Sequence, residues 1–107
     1  MAMSPTQLTL RKLRNEGYQA AVVEKWNHHV KIRQDLFGFV DVIGVRDNET
    51  IAVQACTFGD RLKRKRKVEA ADTLPAVLAA RWNVVVHGWR KQKNKWHCTE
   101  EPIDVCS

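Results

Sequence analysis

The apolar residues near the middle of the chain form two short runs, and the remaining predicted elements are arranged around them. Residues 38–45 and 51–56 are rich in Val and Ile, and a polar turn at residues 46–50 separates them. Short apolar runs bounded by turn residues are typical of buried strands. The pattern therefore predicts a β-hairpin at the centre of a sheet.

The first of these predicted strands contains a carboxylate, Asp41. An ionised, unpaired carboxylate in a buried strand costs several kcal/mol or has its pKa raised. A metal ion or a catalytic role would compensate that cost, whereas capping by backbone N–H groups at a strand edge is the structural alternative. Asp41 is therefore the first candidate for a functional residue.

The register of the predicted hairpin places a second polar side chain beside Asp41. If Asp47 and Asn48 are the central residues of a tight turn, Asp41 lies opposite Gln54, with Cβ atoms about 4.5–5.5 Å apart. Sliding the turn by two residues places Cys56 opposite Asp41 instead, and a slip of one residue separates the pair onto two faces. An aspartate and an amide oxygen at one point of a rigid sheet form half of a site for a hard divalent cation.

Helices and strands alternate in the segments that flank this hairpin. They are a helix over 5–16, strands over 18–26, 84–90 and 96–99, and helices over 61–71 and 74–81. Residues 30–36 are left open between strand and loop, and the acidic tail at 100–107 is expected to be loosely held. A helix between the third and fourth strands makes that pair parallel, so the order α-β-β-β-α-β predicts an α/β fold with a mixed sheet flanked by helices.

Length and composition fit one globular domain over residues 1–107, with 44% hydrophobic and 28% charged residues. No apolar run approaches the about 20 residues of a membrane span, and residues 1–5 do not begin a signal peptide. The three cysteines are odd in number and lack Cys-x-x-Cys spacing, which argues against a disulfide framework and a zinc knuckle. We therefore expect a cytoplasmic protein with no membrane partner.

The net charge of +6 favours a polyanionic partner. Six cations lie within residues 61–67 and four within residues 90–95. Cations at this density repel one another, so phosphates would relieve a cost, whereas a solvated helix face is the plain alternative. The candidate nucleic-acid contacts are Arg61, Lys63, Arg64, Lys65, Arg66, Lys91, Lys93, Lys95 and Trp96, the last as a stacking surface.

A Gly-x-x-Asp strand, a turn, and a strand reading apolar-Gln-x-Cys resemble the PD-(D/E)XK nuclease superfamily, in particular its Holliday-junction-resolvase-like and VRR-NUC-like members. Asp41 matches the first motif aspartate, Gln54 stands at the second carboxylate position, and Cys56 stands where the family has lysine. The resemblance covers roughly the first two thirds of the chain. It implies a small restriction-endonuclease-like core that binds Mg²⁺ or Mn²⁺ through Asp41, Gln54 and the carbonyl of Ala55.

Two further acids are candidate ligands near the site that the resemblance implies. Glu24 lies near the end of the first predicted strand, and it forms a third ligand or pairs with Lys25 or Arg33. Asp35 is the alternative third ligand, and it replaces Asp41 as the key acid if the strand begins earlier. A single cation held by such a set polarises the scissile phosphate and activates water.

The cysteine at position 56 leaves the family's catalytic cation to be supplied from elsewhere. Lys67 on the following helix is the candidate, with Lys63 and Lys65 as alternatives. The expected function is a metal-dependent DNA endonuclease or resolvase, and the alternative is a catalytically inactive nucleic-acid-binding module of the same fold. A third hypothesis, a structural or host-interaction protein, predicts no salt-sensitive DNA binding. DNA is the expected partner, RNA is left open, and the resemblance implies a homodimer.

Overall fold

The computed structural model describes residues 3–104 and, for Trp26, Asn27 and Arg33, the backbone alone. Helices and strands alternate along this range much as the hydrophobic pattern predicts. The elements are α1 (Pro5–Asn15), β1 (Gln19–Val22), β2 (Lys25–Asn27), β3 (Ile32–Gln34), β4 (Val42–Arg46), β5 (Glu49–Thr57), a 3-10 turn (Phe58–Asp60), α2 (Arg61–Glu69), α3 (Leu74–Ala79), β6 (Asn83–Gln92) and β7 (Lys95–Pro102).

Five strands form one mixed sheet in the order β1-β4-β5-β6-β7. β5 and β6 are parallel and joined by α2 and α3, whereas the other neighbouring pairs are antiparallel. The predicted α/β class, with a mixed sheet flanked by helices and a parallel crossover, is therefore confirmed. No helix among residues 3–104 has the length and apolar character that crossing a membrane requires.

The central hairpin has the predicted register. Asp47 and Asn48 form the turn, and Arg46 lies opposite Glu49. Asp47 has a φ of 51°, a left-handed conformation that aspartate tolerates better than most residues. The structure differs at the far end, because β4 begins at Val42 and Asp41 lies directly before the strand rather than inside it. The chain changes direction there, which brings the Asp41 side chain to an edge of the core.

Helices cover both faces of the sheet. α1 packs its Leu13 against Val42, Val53 and Val85, and Ser4 starts this helix by accepting a hydrogen bond from the Gln7 backbone N–H at 3.2 Å. On the opposite face, the buried side chains of α2 and α3 pack against the central strands together with Phe39. Members of this second cluster are Phe39, Val40, Ala52, Cys56, Val68, Leu74, Val77, Val84, Val86 and Ile103.

Two segments differ from the predicted elements. The first predicted strand is broken: β1 ends at Val22, and residues 25–34 form a separate two-stranded hairpin, β2–β3. The expected loose tail is wrong for residues 100–104, because β7 extends to Pro102 and Ile103 is only 2% exposed. Ile103 donates its backbone N–H to Val84 O at 2.9 Å, so an apolar side chain anchors this segment to the core. Residues 105–107 lie outside the described range.

Strand directions bring three connections to one end of the sheet. β1 and β5 both run antiparallel to β4, and β6 is parallel to β5, so the carboxyl ends of β1, β5 and β6 coincide. We call this the carboxyl end of the sheet. The β2–β3 hairpin follows β1, α2 follows β5 after the 3-10 turn, and the β6–β7 turn follows β6. Asp41 lies at the same end, directly before β4.

Candidate metal centre

A cavity of about 600 Å³ lies at the carboxyl end of the sheet. The first turn of α1, the ends of β1 and β5, and α2 supply its walls. The lining residues are Ser4, Pro5, Thr6, Gln7, Val22, Glu24, Asp35, Asp41, Gln54, Ala55, Cys56, Thr57, Asp60, Arg64 and Lys67. Every metal ligand expected from the sequence is in this set, as is the expected catalytic cation.

Asp41 and Gln54 lie side by side in the wall of this cavity, as the hairpin register predicts. They are 3% and 4% exposed. Gln54 donates its Nε2–H to Asp41 Oδ2 at 2.5 Å, and the backbone N–H of Ala55 donates to the same oxygen at 2.9 Å. Asp41 Oδ2 is therefore held by two donors from β5, which fixes the orientation of the carboxyl group.

The other atom of the Gln54 amide, Oε1, is buried and has no hydrogen-bond partner within residues 3–104. A buried polar atom left without a partner costs about 1–3 kcal/mol. An amide oxygen has lone pairs only, so it needs a donor or a cation. The residues of this site therefore fit a hard cation, because a cation beside Asp41 would also satisfy this oxygen.

Glu24 and Asp35 bring two more carboxylates to Asp41. Oxygen atoms of the three acids lie within 4.8 Å of one another. The β2–β3 hairpin causes this convergence: Lys25 lies opposite Gln34 in its first rung, so the residues just outside that rung, Glu24 and Asp35, meet at its open end. Because ten residues lie between Glu24 and Asp35 in the sequence, their proximity in space is not evident from the sequence alone.

Burial raises the pKa of Asp41 to about 8, and the negative charges of Asp35 and Glu24 add to this rise. The hydrogen bond from the Ala55 N–H acts in the opposite direction, because it stabilises the ionised form. Without a cation, Asp41 is thus mainly protonated at neutral pH. A divalent cation would displace this proton and relieve the repulsion among the three acids.

Ala55 fits the remaining ligand position expected from the sequence. The N–H and C=O of a strand residue point toward the same neighbouring strand, and the Ala55 N–H points at Asp41. The Ala55 carbonyl therefore faces the same side. Ala55 also lines the cavity. Its backbone oxygen is suited to the same cation as Asp41 and the Gln54 amide oxygen.

Two cations of α2 line the cavity, at positions 64 and 67. Lys67 Nζ lies 3.6 Å from Asp35 Oδ2. Arg64, one turn earlier, is near enough to Cys56 for its charge to favour the thiolate. Lys65, an alternative to Lys67, is directed elsewhere and lies 3.9 Å from Glu101. Lys63, the other alternative, is exposed and does not line the cavity.

Cys56 is 5% exposed and lines the cavity. Burial raises the pKa of its thiol to about 11, so the group is neutral at physiological pH. A neutral thiol is neither a ligand that a hard cation prefers nor a positive charge for a phosphate. Cys56 packs with the core cluster on the α2 side of the sheet, where it acts as a small apolar side chain.

The expected nucleic-acid contacts divide into two groups. In α2, Arg61 lies 3.3 Å from Glu101 and stacks on Phe58, so its charge is partly neutralised, whereas Lys63 and Arg66 are exposed. In the β6–β7 hairpin, the ladder places Lys91 opposite Trp96, with Lys91 Nζ 5.7 Å from the Trp96 ring. Lys93 and Lys95 lie at the turn of this hairpin and are exposed, beyond the end of β5.

Sequence reasoning missed two walls of the cavity. The sequence predicts a helix from residue 5, but the position of its first turn beside Asp41 depends on how α1 packs across the sheet. Arg64 was assigned to backbone binding only. Because six of the seven residues from 61 to 67 are cations, the sequence offers no signal for which of them faces the cavity.

The sequence matches no protein-family model, and comparisons with curated proteins and with solved structures return no match.

Proposed function

We propose that this protein is a metal-dependent phosphodiester hydrolase of PD-(D/E)XK type that acts on DNA. The observation that carries the proposal is the unpartnered Gln54 Oε1 beside Asp41, in a cavity that Glu24 and Asp35 also line. Carboxylate, amide and backbone oxygens converging at one point suit Mg²⁺ or Mn²⁺. Asp41, Gln54 and Ala55 hold the cation, together with Glu24 or Asp35.

The distribution of positive charge supports a polyanionic substrate at this site. Thirteen of the 18 lysines and arginines lie in the β2–β3 hairpin, in α2, or at residues 90–95 around the β6–β7 turn, and these three segments are at or follow the carboxyl ends of β1, β5 and β6. Phosphate contacts of this kind position a nucleic acid without reading its sequence. The thirteen are Lys25, Lys31, Arg33, Arg61, Lys63, Arg64, Lys65, Arg66, Lys67, Arg90, Lys91, Lys93 and Lys95.

The bound cation supplies Lewis-acid activation of the phosphate and lowers the pKa of a coordinated water. The protein's own side chains supply the rest. Asp41 and Gln54 fix the position of the cation because both are rigidly held between β4 and β5. Arg64 and Lys67 place positive charge beside the scissile phosphate, where it stabilises the charge that develops during hydrolysis.

A catalytically inactive DNA-binding module is the second candidate, and Cys56 favours it. The family's lysine is absent at that position, and the buried thiol carries no charge. The two candidates share the fold and the cationic surface. They differ only in whether Arg64 and Lys67 replace the missing lysine.

The test is cleavage of labelled single-stranded, duplex and four-way-junction DNA, and of RNA, in Mg²⁺ or Mn²⁺. Asp41→Asn removes the negative charge of the central ligand, and Asp72→Asn, at an exposed acid outside the cavity, is the matched control. Cleavage by the wild type and Asp72→Asn but not by Asp41→Asn supports the hydrolase. Salt-sensitive binding without cleavage supports the inactive module, and neither binding nor cleavage overturns both. The implied homodimer is tested by the mass of the protein in solution.

A further inference from the structure

The β2–β3 hairpin is cationic, but unlike α2 and the β6–β7 hairpin it contains no residue that the sequence predicts to contact nucleic acid. Residues 25–34 contain three cations, Lys25, Lys31 and Arg33, two histidines and no acid. The hairpin is a separate two-stranded sheet of three rungs and does not pair with the five-stranded sheet. The acids nearest to it in the sequence, Glu24 and Asp35, flank the hairpin at its open end.

The open end of the hairpin is at the candidate metal centre. Glu24 directly precedes β2 and Asp35 directly follows β3, and both line the cavity. Three rungs extend about 10 Å at the usual rise per strand residue. Duplex DNA carries about six negative charges along that length of its axis. A phosphodiester at the metal centre thus has neighbouring phosphates within the reach of this hairpin.

The tip of the hairpin is apolar as well as cationic. Val30 is 57% exposed and Ile32 is 51% exposed, and between them Lys31 has a left-handed φ of 53°. Apolar side chains beside cations suit a nucleic acid, whose sugar and base surfaces lie between its phosphates.

We propose that the β2–β3 hairpin is an arm that binds the DNA next to the metal centre. Lys25 and Lys31 contact phosphates, and the apolar tip contacts sugars or bases. This inference rests on the proposed function for its ligand, but it concerns a surface separate from α2 and from the β6–β7 hairpin. The backbone contacts of the DNA then come from both sides of the acids that hold the cation.

The salt dependence of duplex DNA binding tests the arm, measured by fluorescence anisotropy in the Asp41→Asn protein to prevent cleavage. Each lost phosphate contact lowers the slope of log K against log salt by about 0.9, so Lys25→Ala/Lys31→Ala lowers it by about 1.8. The matched control is Arg11→Ala/Arg14→Ala, because both arginines are exposed on the later turns of α1 and outside the cavity. The control leaves the slope unchanged.

A second variant separates the apolar contact from the ionic ones. Val30→Ser weakens binding at every salt concentration by a constant factor, because it removes no charge. Thermal melting of each variant confirms folding, which the hairpin's separation from the main sheet favours.

An unchanged slope in Lys25→Ala/Lys31→Ala, or an equal loss in the α1 control, overturns the arm. If the wild type cleaves DNA while the slope stays unchanged, the proposed DNA-binding role of the hairpin is wrong and the proposed hydrolase function is supported. If the slope falls as expected but the wild type never cleaves, the arm stands and the hydrolase fails. A parent protein that does not bind DNA overturns both.

Discussion

Gln54 donates to Asp41 across two neighbouring strands at 2.5 Å, and this contact leaves the opposite atom of the amide, Oε1, without a partner. Asp41 Oδ2 accepts two hydrogen bonds, so the neutral acid carries its proton on Oδ1. The pair thus has one proton to lose and one oxygen to satisfy. A divalent cation would displace the proton of Asp41 and would bind the unpartnered oxygen of Gln54.

Mg²⁺ or Mn²⁺ should raise the melting temperature of the wild type, and the gain should grow from pH 6 to pH 8.5. The pH dependence arises because burial raises the pKa of Asp41 to about 8, so cation binding at lower pH must release a proton. Differential scanning fluorimetry with and without the cation measures the effect. Asp41→Asn should lose the gain and Asp72→Asn should keep it. A wild type whose melting temperature does not respond to either cation would contradict the metal centre.

Gln54→Glu should make the protein depend on its cation. Without a cation, the substitution puts a second buried carboxyl against Asp41, and we expect unfolding to become easier by about 3 kcal/mol near pH 8. With the cation, the additional carboxylate is a stronger ligand than an amide, so the thermal gain should exceed that of the wild type. Gln54→Met, of similar size but without a ligand oxygen, is the control. Equal cation responses in the two variants would show that position 54 does not face the cation.

Cys56→Lys should raise the cleavage rate by about 100-fold if only the missing lysine limits catalysis. Position 56 lines the cavity, so a lysine stem can follow the apolar wall and place its ammonium beside the phosphate. Cys56→Ala controls for removal of the thiol. Single-turnover cleavage and DNA affinity are measured together, because the affinity should change little. An unchanged rate in Cys56→Lys would instead favour Arg64 and Lys67 as sufficient cations.

His87 should destabilise the protein in acid. It is fully buried, its Nδ1 is hydrogen-bonded with Thr9 Oγ1 at 3.1 Å, and Thr9 Oγ1 also accepts from Trp89 Nε1 at 2.9 Å. The other ring nitrogen, Nε2, lies 3.3 Å from Glu100 Oε1 without hydrogen-bond geometry. Burial lowers the pKa of His87 to about 4, although the Glu100 charge opposes this.

The folded pKa of His87 lies below its unfolded value of about 6.5, so its stability contribution is present above pH 6.5 and is lost as the pH falls toward 4. The loss is at most about 1.4 kcal/mol per pH unit. Asp41 has a raised pKa, so without a cation its contribution is lost as the pH rises from about 4 to 8. Urea unfolding of Asp41→Asn, which removes the opposing titration of Asp41, should show stability falling steadily from pH 6.5 to 4. If the free energy of unfolding of Asp41→Asn does not change between pH 6.5 and 4, the lowered pKa of His87 is wrong.

The hairpin register was predictable from the sequence because a two-residue turn and a side-chain period of two leave one arrangement for Asp41 and Gln54. The role of α2 in the cavity was not predictable from the sequence. Val68 is its only fully buried side chain, so the helix lacks an apolar stripe that would reveal which cations face inward. The break after β1 was not predictable either: β1 pairs with β4 as far as Val22 opposite Val42, and one further hydrogen bond joins the Val23 N–H to the Asp41 carbonyl at 2.9 Å.

The length of the β2–β3 hairpin does not affect the position of the two acids at its base. Glu24 and Asp35 meet because they flank the first rung, Lys25 opposite Gln34, and the rungs beyond it do not enter this relationship. A hairpin lengthened or shortened by whole rungs would leave both acids where they are. Evolution, or a protein engineer, can therefore change the reach and the chemical character of this appendage while the acids stay in register.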